Sequence, residues 1–139
     1  MVNILYTAEA LASGDGRNGR GLSSDGKLDV ALAVPKEMGG SGNGTNPEQL
    51  FAAGYAACFH SALRIVAKTA GADTTGSTVG AQVSMGRTEG GAFGLSVKLS
   101  ISLPEVAHHE ATVLAQEAHL VCPYSNAVRD NIDVEIVIA

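Results

Sequence analysis

The chain has no tryptophan, and charged residues make up only 17% of its 139 positions. Acidic side chains outnumber basic ones, giving a net charge of −5 and a pI near 5.2. That balance excludes nucleic acid and anionic membrane as main partners. No basic start followed by an apolar stretch marks a secretory signal. The longest uncharged apolar run, Leu50 to Leu63, is too short to span a bilayer and is interrupted by His60 and Ser61. Cysteine is scarce too, with two residues, Cys58 and Cys122. In a chain expected in the cytoplasm, two cysteines point to catalysis or redox sensing rather than to a structural bridge.

Glycine is abundant, with 17 residues, and it punctuates the chain into one domain expected over residues 1–139. Residues 3–11 and 28–34 read as strands, the second because Leu28, Val30, Leu32 and Val34 alternate with Asp29, Ala31 and Ala33. Ser23-Ser24-Asp25-Gly26 is a turn that folds a short strand around Gly21-Leu22 onto it. Between them, Ser13 to Arg20 is a glycine-rich loop carrying Arg17 and Arg20. A second loop runs from Glu37 to Thr45. It lacks the endings of phosphate-binding loops, so it reads as a flexible connection.

Asn46 caps a helix with Pro47 first, Glu48 in the opening turn and Gln49 closing a capping-box-like arrangement. The helix is expected to run to about Thr69 and to end at Gly71. From Leu50 to Phe59 it is apolar around its whole circumference, which a single small domain cannot cover, so a partner subunit is expected. Residues 78–88 and 92–103 form a hairpin turning at Gly90-Gly91. A helix over 105–121, a short helical piece from Pro123 to about Arg129, and a strand marked by Ile132, Val134, Ile136 and Ile138 complete an α+β domain with antiparallel pairing.

Cys58 lies in the apolar helix, past the first turn where the helix dipole helps a thiolate. A reactive Cys58 therefore needs a cation against desolvation. Arg64 and Lys68 lie toward the helix end, and Arg17 and Arg20 are better candidates to be brought in by the fold. Each residue has a plainer reading as well. A lone buried cysteine is a small apolar filler, loop arginines are solvated charges, and a first-turn glutamate complements the helix dipole. The four histidines do not fall at a metal spacing with the cysteines, apart from a His119/Cys122 pair, and no metal is expected.

Five segments carry a family resemblance. They are Gly16-Arg17-Asn18-Gly19-Arg20, Ser23-Ser24-Asp25-Gly26, the helix motif Thr45 to Phe59, Gly91-Ala92-Phe93-Gly94-Leu95, and Val121-Cys122-Pro123-Tyr124-Ser125-Asn126-Ala127. Over essentially its whole length the chain resembles the organic hydroperoxide resistance (Ohr) branch of the OsmC/Ohr superfamily. The resemblance implies an intertwined homodimer, with antiparallel sheets wrapped around two central long helices. It implies a thiol-dependent peroxidase in which Cys58 is peroxidatic, Cys122 resolving, and Arg17 stabilises the thiolate while Glu48 holds the arginine. No bound cofactor is implied; dihydrolipoyl groups on a lipoylated protein supply the electrons. Phe51, Phe59, Met38 and Tyr124 are expected to line an apolar substrate site. Other readings are a peroxidase of the OsmC branch and a non-catalytic redox sensor or ligand-binding dimer.

Overall fold

The computed structural model describes residues 2–139. The chain divides into two compact units, one ending at Leu50 and one running from Phe51 to Ala139.

The first unit holds a three-stranded antiparallel sheet, β1 (Ala10–Ser13), β2 (Arg20–Ser23) and β3 (Asp29–Ala31), in that order. β2 and β3 are joined by the expected turn, with Gly26 in the left-handed region and the Ser23 hydroxyl donating to Asp25 at 2.6 Å. The strand expected over residues 3–11 begins only at Ala10, where β2 offers a partner in the register Ala10↔Ser23. Ile4, Leu5 and Tyr6 stay exposed. Local sequence can announce a strand but does not supply its neighbour. The strand expected over 28–34 likewise stops at Ala31. Leu32 makes an isolated parallel bridge to Thr45 instead, and the Val34 N–H donates to the Asn18 side chain at 3.0 Å.

Helix α1 (Pro47–Thr69) starts as its sequence dictates, with the Asn46 Oδ1 accepting from the Gln49 N–H at 2.9 Å. The capping box is not closed: the Gln49 side chain accepts from the Thr45 hydroxyl at 2.6 Å rather than reaching back to the Asn46 amide. At the other end Gly71 takes the left-handed conformation. The Ala72 N–H donates to the Ala67 carbonyl and the Gly71 N–H to the Lys68 carbonyl, which stops the helix by a Schellman pattern. At 23 residues α1 exceeds the uncharged run within it and is, by length and composition, long and apolar enough to cross a membrane. Tyr55, Phe59, Ala62, Leu63 and Ala67 nevertheless enter a protein core.

The second unit contains most of α1, followed by β4 (Thr78–Arg87), β5 (Phe93–Ser102), α2 (His108–Val121), α3 (Pro123–Val128) and β6 (Asp133–Ile138). β4 and β5 form the expected hairpin, paired from Thr78↔Ser102 to Arg87↔Phe93. Its turn needs Gly91 at φ +85°, a conformation that side chains with a Cβ resist. Val79, Ala81 and Val83 therefore share a face with Val97, Leu99 and Ile101. β6 completes the sheet parallel to β5, not antiparallel, with Leu99↔Ile136 in register. The helices between β5 and β6 carry the chain back to the same end of the sheet, and such a crossover yields a parallel pair. α2 begins at His108 rather than 105, because Leu103 to Val106 close a turn first and Ala107 is extended. The sheet face, the buried side of α1, and Ala111, Leu114, Ala115 and Ala118 of α2 form one apolar cluster. Full burial of side chains such as Phe59, Leu63 and Leu99 contributes about 1.5–3 kcal/mol each.

Candidate active site

Two arrangements of reactive side chains stand out, one in each unit. In the first, the glycine loop winds into a 3-10 turn over Gly16–Asn18 that carries Arg17. The loop is drawn tight at Gly19, where a Cβ would sit 2.0 Å from the Ser13 carbonyl oxygen, so no other residue fits without moving backbone. The Arg17 guanidinium donates through both terminal nitrogens to Glu48, at 2.8 Å and 2.7 Å. This two-point contact holds the Glu48 carboxyl below its usual range and raises Arg17, the hydrogen bond being the main cause for each. Arg20 instead pairs with Asp29, at 2.7 Å and 2.6 Å, on the exposed face of the small sheet. Of the two loop arginines, the structure brings Arg17 to Glu48.

In the second unit Cys58 of α1 and Cys122 meet at 3.7 Å between sulfurs, both as free thiols. Cys58 is half-buried, whereas Cys122 is completely enclosed. Cys122 sits where α2 ends and α3 begins. Its own N–H donates to the Ala118 carbonyl, and its Sγ accepts from the Ser125 N–H at 3.5 Å. Pro123 occupies the first position of α3, where its missing N–H is no loss. Burial pushes the Cys58 thiol up, the backbone N–H of Tyr124 pulls it down, and neighbouring Cys122 raises it again. The Ser125 amide thus serves the Cys122 sulfur, and the amide before it lowers the Cys58 thiol.

A wall of three rings stands beside the thiols. Phe51, Tyr55 and Tyr124 have centroids 5.8–6.1 Å apart in tilted or edge-on contacts. The Tyr124 ring lies over Gly54, where an added Cβ would come within 2.9 Å of its hydroxyl oxygen. The expected substrate residues separate here. Phe51 and Tyr124 join this wall, and Met38 stands exposed at the end of a 3-10 turn over Lys36–Met38. Phe59 is a correction: it lies one turn beyond Tyr55 on the buried face of α1, is 0% exposed, and offers no surface to a substrate.

Three residues that the sequence did not single out complete the setting. The Ser125 hydroxyl, fully buried, is hydrogen-bonded to the Tyr55 hydroxyl at 2.7 Å and to His119 Nδ1 at 2.8 Å. Burial and the nearby Arg129 charge lower the His119 pKa, while burial raises that of Tyr55. The sequence signal for them was slight. Tyr55 and Ser125 lie inside the helix and cysteine-proline motifs, and His119 has only its spacing from Cys122 to mark it.

Comparison with known proteins covers both arrangements. The family description "OsmC-like protein" matches residues 40–137. An organic hydroperoxide resistance protein of Xanthomonas axonopodis pv. citri is 50% identical over 138 residues, spanning 98% of this chain and 96% of that protein. The crystal structure of an organic hydroperoxide resistance protein from Legionella pneumophila superimposes with a TM-score of 0.93 at 46% identity, covering 99% of both chains. A putative organic hydroperoxide resistance protein from Vibrio cholerae, solved with captopril in one of its active sites, gives a TM-score of 0.92 at 46% identity over 98% of this chain and 93% of that one. The chain belongs to the organic hydroperoxide resistance branch of the OsmC/Ohr superfamily.

Proposed function

We propose that the protein is a thiol-dependent peroxidase that reduces organic hydroperoxides to alcohols. The observation that carries this reading is the pair of free thiols 3.7 Å apart, one half-buried and one enclosed, beside a wall of aromatic rings. The names of the relatives point to the same substrate class. Cys58 attacks the outer peroxide oxygen as thiolate; the O–O bond breaks, the alkoxide leaves as alcohol with a proton, and Cys58 becomes a sulfenic acid. Cys122 then attacks the Cys58 sulfur, expelling the hydroxyl as water and forming the Cys58–Cys122 disulfide. An external dithiol, a dihydrolipoyl group on a lipoylated protein, reopens it by exchange and leaves oxidised. The apolar rings of Phe51 and Tyr124 favour alkyl or lipid peroxides over hydrogen peroxide. The reducing cytoplasm suits this chemistry.

Burial, and with it the neighbouring Cys122, holds the Cys58 thiol up, so a cation must pull it down for attack at neutral pH. We assign that task to Arg17, oriented by Glu48. α1 is continuous from Pro47 to Thr69, so Glu48 and Cys58 are about 15 Å apart along its axis at ~1.5 Å per residue. An antiparallel pair of such helices about a two-fold would instead bring the start of one near the middle of the other. The active form is thus a homodimer whose sites each join Cys58 of one subunit with Arg17 and Glu48 of the partner subunit. The test is turnover of cumene hydroperoxide and hydrogen peroxide with dihydrolipoamide. The reading expects marked preference for cumene hydroperoxide and complete loss in Cys58→Ser; equal rates, or turnover without Cys58, would defeat it.

A further inference from the structure

The buried hydroxyl of Ser125 ties three helices together at one oxygen. Tyr55 comes from α1 and His119 from α2, while Ser125 itself lies in the first turn of α3. A hydroxyl has one hydrogen and two lone pairs, so both neighbours can be served without strain. The same residue's backbone N–H sits on Cys122 Sγ, and the preceding amide, of Tyr124, acts on Cys58. Any slip of Ser125 therefore displaces the amide that holds the Cys122 sulfur, and the Tyr124 amide bonded next to it. The far end of the chain is accessible. His119 lines an open, polar depression of about 390 Å³ together with Arg129, Asn131 and Asp133.

The sulfurs stand at 3.7 Å and must approach to about 2.05 Å when bonded. Contact is already made, so what the protein can still contribute is orientation of Cys122 against the Cys58 sulfur. Misplacement by about an ångström at a reacting centre costs on the order of a hundredfold in rate. We infer that the Tyr55–Ser125–His119 hydrogen-bond chain positions Cys122 for disulfide closure, with Ser125 and His119 as positioning residues of the resolving step. This inference rests on the reading of Cys58 and Cys122 as a reactive pair. The plainer alternative is that the chain merely satisfies a buried serine.

Ellman's reagent separates these possibilities without any peroxide. The exposed part of Cys58 attacks first, forming a mixed disulfide and releasing one thionitrobenzoate. Cys122 then attacks the Cys58 sulfur, forms the internal disulfide and expels the second thionitrobenzoate; the thiol protons pass to buffer. The absorbance trace therefore has two phases, one for Cys58 reactivity and one for closure. In Ser125→Ala we expect the first phase within about twofold of wild type and the second at least tenfold slower. His119→Leu, at the solvent-open end, should behave alike and serves if Ser125→Ala does not fold. His119→Asn keeps an amide group, able to donate or accept, near the Nδ1 position and should restore closure to within about threefold. Unchanged closure in Ser125→Ala and His119→Leu, or equal slowing of both phases, would overturn the inference. A parallel arm treats the wild type with cumene hydroperoxide and traps Cys58 sulfenic acid with a 1,3-diketone. Normal two-phase closure with no trapped sulfenic acid would reject the peroxidase reading, while the Ellman phases alone still decide the role of the chain.

Discussion

Replacing Gly54 by alanine tests the aromatic wall directly. The new Cβ would lie 2.9 Å from the Tyr124 hydroxyl oxygen and 3.3 Å from two ring carbons. These atoms belong to the far end of a side chain that is 39% exposed, so the ring swings outward rather than the backbone yielding. The swing separates Tyr124 from Phe51 and Tyr55, two ring contacts worth about 0.5–1.5 kcal/mol each, or about 1–3 kcal/mol together. Against this, alanine gains about 1 kcal/mol over glycine inside a helix. The net loss is then about 0–2 kcal/mol, read from urea unfolding. In the proposed reaction a catalytic effect accompanies this loss, because the displaced ring would no longer line the approach to Cys58. We expect kcat/KM for cumene hydroperoxide to fall by roughly tenfold, equivalent to about 1.4 kcal/mol, while that for hydrogen peroxide changes by less than about twofold. In a Tyr124→Ala background the clash is gone, and the same Gly54→Ala change should stabilise by up to about 1 kcal/mol. Destabilisation beyond about 3 kcal/mol, or an unchanged preference between the two peroxides, would refute the reasoning.

Three further outcomes follow from the same geometry. Cys122→Ser should carry out one turnover and then accumulate a sulfenic acid or an intermolecular adduct at Cys58, seen by intact mass; an ordinary steady state in that variant would remove Cys122 from the cycle. A heterodimer of a Cys58→Ser subunit with an Arg17→Ala, Glu48→Ala subunit should regain about half of wild-type activity, since one cysteine then faces an intact Arg17–Glu48 pair on the partner. Recovery no greater than in the parent homodimers would place the whole site within one chain. His119, whose pKa is lowered by burial and by Arg129, binds its proton more weakly folded than unfolded. Its contribution to stability is therefore complete above the unfolded value of about 6.5 and is lost as pH falls below it through the folded value. Unfolding free energies measured downward from pH 7 should decline more steeply for the wild type than for His119→Asn, and parallel curves would contradict this.

How far the fold could be read from sequence depends on whether a signal is local. α1 is legible because Asn46 and Pro47 start it and Gly71 ends it, each through its own backbone geometry. The β4–β5 hairpin is legible because alternation and a glycine turn agree over ten paired residues. The N-terminal strand expected over residues 3–11 pairs only from Ala10, because a strand's own residues leave its partner unspecified. The parallel β6 was hidden for a related reason: pairing direction is set by the path of α2 and α3, not by the strand's own residues. Phe59 shares a helical side with Phe51 and Tyr55 and differs from Phe51 in depth, lying one turn beyond Tyr55 in the core. An apolar ring in a helix apolar all round carries no mark of whether it points to a core or to a substrate.

The candidate site was legible in its chemistry and opaque in its geometry. Arg17 and Arg20 stand three residues apart in one loop, and nothing in their neighbours ranks them. Their difference comes from sheet register, since Arg20 lies opposite Ala31, two residues from Asp29 on the same face, and is captured there. Arg17, on the 3-10 turn before the strand, is left to meet Glu48. The buried serine chain was invisible because a hydroxyl in a helix has no periodic signature; only the meeting of three helices gives Ser125 two partners. The helix itself makes the last connection. Its buried face carries Tyr55, Phe59, Leu63 and Ala67, yet Ala53, Ala57 and Ile65 are exposed on other sides of the same rod, Ile65 at 59%. A sequence apolar around its whole circumference, covered by its own chain on one side, calls for a second surface of matching character. In the proposed homodimer that surface is the same helix of the other subunit, and the contact that covers the apolar side is the one that would carry Glu48 of one subunit toward Cys58 of the next.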